Sequence, residues 1–137
     1  MDLERLIETF EVIDDWEERY SIIIDLGNQL SPMPDELKTE ENKVTGCLSQ
    51  VWMVCQQSEA TPPVFSFLAD SDSHIVKGLI AILQIIFSGK TAEEIRAVDI
   101  NALFTQLGLE QHLSPNRRNG FYSMVEKIKE LSKAEAA

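Results

Sequence analysis

Cysteine is the side chain with the widest chemistry in this sequence, and the chain holds two, Cys47 and Cys55. Cys47 lies in Gly46-Cys47-Leu48-Ser49-Gln50, between two segments that read as strands. A loop cysteine beside glycine can be approached by another chain. Neighbouring backbone N–H groups can stabilise its thiolate relative to the reference thiol pKa of about 8.5. The same residue types also fit an inert small hydrophobe, the commoner fate of a lone cysteine. Cys55 follows eight positions on, inside the apolar run Val51-Trp52-Met53-Val54-Cys55. That spacing is not the Cys-x-x-Cys of a thiol oxidoreductase, so Cys55 reads as a packing residue.

Other candidates fare worse on spacing. Ser88-Gly89-Lys90-Thr91 mimics the end of a phosphate-binding loop, but Gln84 stands where the first glycine belongs, and an apolar helix rather than a strand precedes it. Thr91 therefore reads as a helix cap. The two cysteines, His74 and His112 follow no metal-ligand spacing, and no metal site is expected. Neither histidine belongs to a Cys-His protease motif; each reads as a polar surface or capping residue. Arg117 and Arg118 fall at the start of a helix, where a cation opposes the helix dipole. Something must hold one there: a carboxylate, a carbonyl or an anionic sulfur.

The wider composition narrows the class. The chain has 137 residues, of which 44% are hydrophobic and 26% charged, the balance of a soluble globular domain. A chain of this length hides about 68 to 70% of its unfolded surface, enough for a core without disulfides or a structural metal. Two cysteines do not make a secreted disulfide scaffold, so a reducing compartment is expected. The start Met1-Asp2-Leu3-Glu4-Arg5 lacks the basic and apolar regions of a signal peptide. The longest apolar stretch, Ile75 to Phe87, is interrupted by Lys77, Gly78 and Gln84 and is shorter than the roughly 20 residues of a membrane helix. These features predict a cytoplasmic protein without a membrane partner. The net charge of -11 is uneven: residues 1–70 carry 4 Lys/Arg against 15 Asp/Glu, and residues 71–137 carry 8 of each. Such a surface repels phosphate backbones, which speaks against nucleic acid, and suits either a basic docking patch or simple solubility.

The elements that must position these residues read as follows. Leu3, Leu6, Ile7 and Phe10 recur at helical spacing. A second helix is predicted from Asp14, with Glu17 completing a capping box and Trp16, Tyr20, Ile23 and Leu30 on its buried stripe. Gly27 would end or kink it, and residues 31–42, with Pro32 and Pro34, read as loop. Three strands are expected at Val44-Thr45, Gln50 to Gln57 and Val64 to Ala69, the last two joined as a hairpin through Ser58 to Pro63. With both faces apolar, Val51 to Cys55 reads as the central strand, covered on both sides. Asp70 to Ser73 offers caps for a helix from His74 to Phe87 that stops at Gly89. Thr91 and Glu94 form a capping box opening a short helix to about Val98, and another runs from about Asn101 to Leu107 before Gly108. The last starts at Ser114 with Pro115 in its first turn, and carries Phe121, Met124, Val125, Ile128 and Leu131 on one stripe. The expected fold is α+β, a small antiparallel sheet of about three strands flanked by N-terminal and C-terminal helices, in a single domain over 1–137.

Taken together, these segments resemble the SufE family of sulfur-acceptor proteins, which assist cysteine desulfurases in iron-sulfur cluster assembly. The most specific part is Val44-Thr45-Gly46-Cys47-Leu48-Ser49-Gln50-Val51-Trp52. Next come Asp70-Ser71-Asp72 with Ile75-Val76-Lys77-Gly78-Leu79, and then His112-Leu113-Ser114-Pro115-Asn116-Arg117 with Gly120. Trp16-Glu17, Tyr20 and Leu26-Gly27 also fit, and the likeness spans nearly the whole chain. Leu48 departs from the polar residue that close SufE relatives often carry, which leaves the subfamily open. The resemblance implies that Cys47 accepts sulfur as a persulfide and that the fold is shared with IscU-type cluster scaffolds. It also favours Arg117 over Arg118, because Arg117 aligns with the family's Ser/Thr-Pro-x-Arg segment, as an anchor of the cysteine loop or a stabiliser of a sulfur anion. A SufS-like cysteine desulfurase and a downstream cluster scaffold are the implied partners, and no cofactor of the protein's own is implied. On this view the protein is an accessory to its desulfurase rather than a free-standing enzyme. A CsdE-like acceptor serving another desulfurase and sulfur pathway shares the fold and chemistry. An IscU-type scaffold is disfavoured, since such proteins bring several cysteines to one site.

Overall fold

A computed structural model describes residues 2–46 and 49–136, and of residues 111, 112 and 134–136 the backbone alone. Helix α1 spans Leu3–Val12 and α2 spans Trp16–Asn28. Asp2 caps the first through the Arg5 amide, and Asp15 caps the second through the Glu17 amide. The cap of α2 is thus one residue later than predicted. Asp14 and Asp15 are chemically equivalent caps, and Arg19 decides between them by donating from Nε to the Ile13 carbonyl at 2.5 Å and from Nη2 to the Phe10 carbonyl. These bonds fix the turn between the two helices.

Strand β1 spans Val51–Gln57 and β2 spans Val64–Ser71, paired antiparallel from Val51 opposite Ser71 to Gln57 opposite Phe65. The third strand is not Val44-Thr45. It is β3, Lys90–Thr91, which pairs with Val64 and Phe65 on the far side of β2. Residues 42–44 do approach β1: Lys43 bridges Trp52, the Val44 amide donates to the Val51 carbonyl, and the Met53 amide donates to the Asn42 carbonyl, both at 2.8 Å. The contact is too short to make a strand. The strand order β1-β2-β3 makes β2 central, which corrects the expectation for Val51 to Cys55. Only one face of β1 is fully covered. Val51 and Met53 are buried on it and Cys55 packs at its margin, while Trp52 and Val54 on the other face are half-buried. Lys38, from the segment before the sheet, lies 5.8 Å from the Trp52 ring centroid and shields part of that outer face.

Behind the inner face runs α3, His74–Phe87, capped by Ser73 and ending beside Gly89 at φ +78°. Leu79, Ile80, Ile82, Leu83, Ile86 and Phe87 are all at most 1% exposed, so the helix is apolar nearly all round. β-branched residues are mediocre helix formers, so tertiary burial holds this helix: each such side chain is worth about 1.5–3 kcal/mol over its exposed state. Helix α2 crosses α3 at Gly27, which is buried in the last turn of α2, one residue before the helix ends at Asn28. Short helices α4, Ala92–Ala97, α5, Ile100–Gln106, and α6, Leu109–His112, lead to α7, Pro115–Ala136. The Thr91 and Glu94 capping box is formed as expected. Helix α6 has no counterpart among the predicted elements, because four residues carry too little periodicity to register. Phe121, Met124, Val125 and Ile128 of α7 are buried, with Leu131 at the margin. The architecture is α+β, and among the described residues no helix is long and apolar enough to cross a membrane.

Candidate functional site

Two stretches of chain bracket the Cys47 segment. Before it, Gly46 holds φ +86°, and a Cβ built there would stand 2.5 Å from the Ser123 hydroxyl oxygen of α7. Glycine is required here by backbone and neighbour alike. After it, the Gln50 amide donates to the Asp72 carboxylate at 3.1 Å, and the Asp72 amide donates to the Gln50 carbonyl at 3.3 Å. The connection from Val44 to Val51 is therefore fixed at both ends. Cys47 and Leu48, between these anchors, lie outside the described residues.

Ser49 lines a cavity of about 370 Å³ that opens between the ends of α3 and α7. Val76 and Leu79 of α3, with Phe121 and Met124 of α7, form its apolar floor. Ser114, Asn116 and Arg117 form a polar rim, and Gly120 lines the wall. The Ser114 hydroxyl accepts from the Arg117 amide at 3.3 Å, capping the start of α7 as the sequence predicts. An apolar floor suits a polarisable sulfur, whereas a cationic rim at a helix start suits an anion.

The two arginines point to different partners. Arg117 Nη1 donates to the Tyr20 hydroxyl at 2.5 Å, with the guanidinium 5.9 Å from the Tyr20 ring centroid. Arg118 Nη2 instead donates to the Glu110 carbonyl at 2.8 Å. Of the partners considered from sequence, a carbonyl is right for Arg118; the phenol holding Arg117 is not among them. His74 is exposed at the first turn of α3, and the His112 side chain lies outside the description. Cys55 is half-buried against the core, and Thr91 caps α4.

Asp70 forms a further cluster, at a position that reads in the sequence only as a helix cap. Its carboxylate lies 3.1 Å from Lys38 Nζ and 3.6 Å from Lys77 Nζ, and accepts from the Ser71 amide at 2.8 Å. Burial alone would raise its pKa. The Ser71 amide and the two ammonium groups outweigh burial and hold it below the usual value, so Asp70 is a carboxylate at neutral pH. Lys38 answers with a raised pKa, first through its hydrogen bond to Asp70.

The four sequence segments therefore meet in space: Tyr20 with Arg117, Gln50 with Asp72, and Gly27 with Gly78. A family model for the SufE Fe-S metabolism associated domain matches residues 4–132. The chain belongs to the SufE family. A SufE-like protein of Rhizobium etli is 47% identical over 136 residues, covering 98% of this chain and 92% of the relative. Another, of Rhizobium meliloti, is also 47% identical, over 128 residues, with 93% and 91% covered. Both of those SufE-like proteins are named as uncharacterised. In structure, a hypothetical protein of Thermus thermophilus superposes with a TM-score of 0.77 at 16% identity, over 96% of this chain and 93% of that one, which fixes the fold as a shared one. Membership of the SufE family places the chain in Fe-S metabolism.

Proposed function

We propose that this SufE-family protein accepts sulfur on Cys47 from the persulfide of a SufS-like cysteine desulfurase and passes it to a cluster scaffold. The observation that supports this reading best is the cavity beside Ser49, two residues beyond Cys47, with its apolar floor and its rim bearing Arg117. In the transfer step the Cys47 thiolate attacks the outer sulfur of the desulfurase persulfide. A new S–S bond forms at Cys47, the original S–S bond breaks, and the desulfurase cysteine leaves as a thiolate; the proton on the outer sulfur travels with it. No external oxidant or reductant enters, and no cofactor of this chain takes part. Arg117 stabilises the anionic sulfur, and transfer calls for the segment between Gly46 and Gln50 to present the thiol to the donor and then to shelter it. Shelter protects a persulfide from oxidants and stray thiols. The protein acts as an accessory in the cytoplasm, raising desulfurase turnover by relieving it of product sulfur.

Mass spectrometry after incubation with the desulfurase and free cysteine tests this. The expected result is a gain of one sulfur atom on the Cys47 peptide, lost in Cys47→Ser and kept in Cys55→Ser. Uptake by Cys47→Ser that is lost in Cys55→Ser would overturn the assignment.

A further inference from the structure

Resting on that reading, we infer that Tyr20 is a positioning residue that holds the Arg117 guanidinium at the rim of the cavity. Arg117 is exposed, in the first turn of α7, where the dipole gives its charge no support. A long side chain in water samples many rotamers, and fixing it costs entropy. Tyr20 lies 97 residues away in sequence and supplies two restraints from α2, a hydroxyl acceptor at 2.5 Å and a ring face 5.9 Å from the guanidinium carbon. Trp16 in turn braces the Tyr20 ring edge-on, with centroids 6.4 Å apart and planes at 69°.

The chemistry of the acceptor matters as much as its place. A carboxylate in this position would hold Arg117 equally well but neutralise it. A phenol fixes direction and leaves the positive charge for an incoming anion. Among the described residues no carboxylate forms an ion pair with Arg117. The pair Tyr20 and Arg117 thus delivers an uncompensated, oriented cation beside Ser49 and the sulfur-accepting loop.

The test is a double-mutant cycle on single-turnover transfer from persulfide-loaded desulfurase, at varied donor concentration. Tyr20→Phe keeps the ring and loses the acceptor, and should slow transfer at saturating donor about fivefold, the scale of one hydrogen bond weakened by exposure to solvent. The half-saturating donor concentration should stay within about twofold, because the cation acts on sulfur and not on docking. Tyr20→Leu loses both restraints and should cost about tenfold or more. In an Arg117→Ala background, Tyr20→Phe should change nothing further. Nitrogen relaxation of the Arg117 Nε–H group in the protein alone should show a more mobile guanidinium in Tyr20→Phe.

Independent, multiplying effects of the two substitutions would overturn the inference, as would a Tyr20→Phe effect seen only in half-saturation, or an unchanged rate. Should Tyr20→Leu fail to fold, the Tyr20→Phe cycle decides alone. The two levels fail differently: a wild-type protein that takes up no sulfur sinks the carrier reading itself, whereas normal uptake with an additive cycle sinks only the role of Tyr20.

Discussion

Gly27 and Gly78 touch where α2 crosses α3: a Cβ on Gly27 would stand 2.6 Å from the Gly78 amide nitrogen, and one on Gly78 would stand 2.2 Å from the Ile23 carbonyl oxygen. The atoms in the way are backbone, so neither helix can yield locally. In an open helix, glycine to alanine gains up to about 1 kcal/mol from propensity. Here overpacking opposes it and wins. Gly78→Ala should lose about 2–3 kcal/mol, read as a lower urea midpoint at unchanged slope. A variant as stable as wild type would mean that the helices do not cross this closely.

The Asp70 cluster predicts a pH dependence of stability. Its folded pKa is depressed, so its contribution is present above the unfolded value of about 3.9 and is lost as pH falls through the folded value. Asp70→Asn should cost roughly 1 kcal/mol at pH 7, since the carboxylate is only partly shielded from solvent. The gap between variant and wild type should close as the pH is taken below about 4. Urea titrations of both proteins at pH 7 and in that acid range check it. A gap that persists in acid would assign the loss to packing instead of charge.

What was legible in the sequence divides by range. Thr91 with Glu94, Ser73 before α3, Pro115 in α7 and the stripe from Phe121 to Ile128 are local signals, and each is formed as read. Strand order is not local. Val51 to Cys55 is apolar on both faces and looks central, yet β2, with exposed Ser66 and charged Asp70, takes that place because two residues at Lys90–Thr91 pair with its far edge. Gly27 reads as a helix end, and α2 does stop one residue later, but its close approach to Gly78 is not legible in the sequence. The site shows the same limit. Arg117 is suspect in the sequence because a cation is misplaced at a helix start, but nothing near it indicates Tyr20, which reads as one member of a buried stripe. The cavity floor reads as ordinary core for the same reason.

Gly46 and Gly89 separate backbone strain from function. Both hold positive φ, +86° and +78°, so alanine at either should cost about 1–2 kcal/mol from the left-handed backbone alone. A Cβ on Gly89 meets nothing within 4 Å, whereas one on Gly46 meets the Ser123 hydroxyl oxygen at 2.5 Å and its Cβ at 3.4 Å. The added methyl and the Ser123 oxygen cannot both keep their places, so the Gly46 variant should be the less stable of the two. Their effects on transfer should differ, because a shift at Gly46 moves the residue next to Cys47 and Gly89 lies outside the cavity lining. Gly46→Ala should slow sulfur uptake by about tenfold or more, the scale of a small misplacement of a reacting group. Gly89→Ala should leave uptake near wild type. Adding Ser123→Ala to Gly46→Ala removes the obstructing oxygen and should restore much of the rate. Equal rates for the two glycine variants, or no recovery in the double variant, would show that the contact between Gly46 and Ser123 does not set the loop.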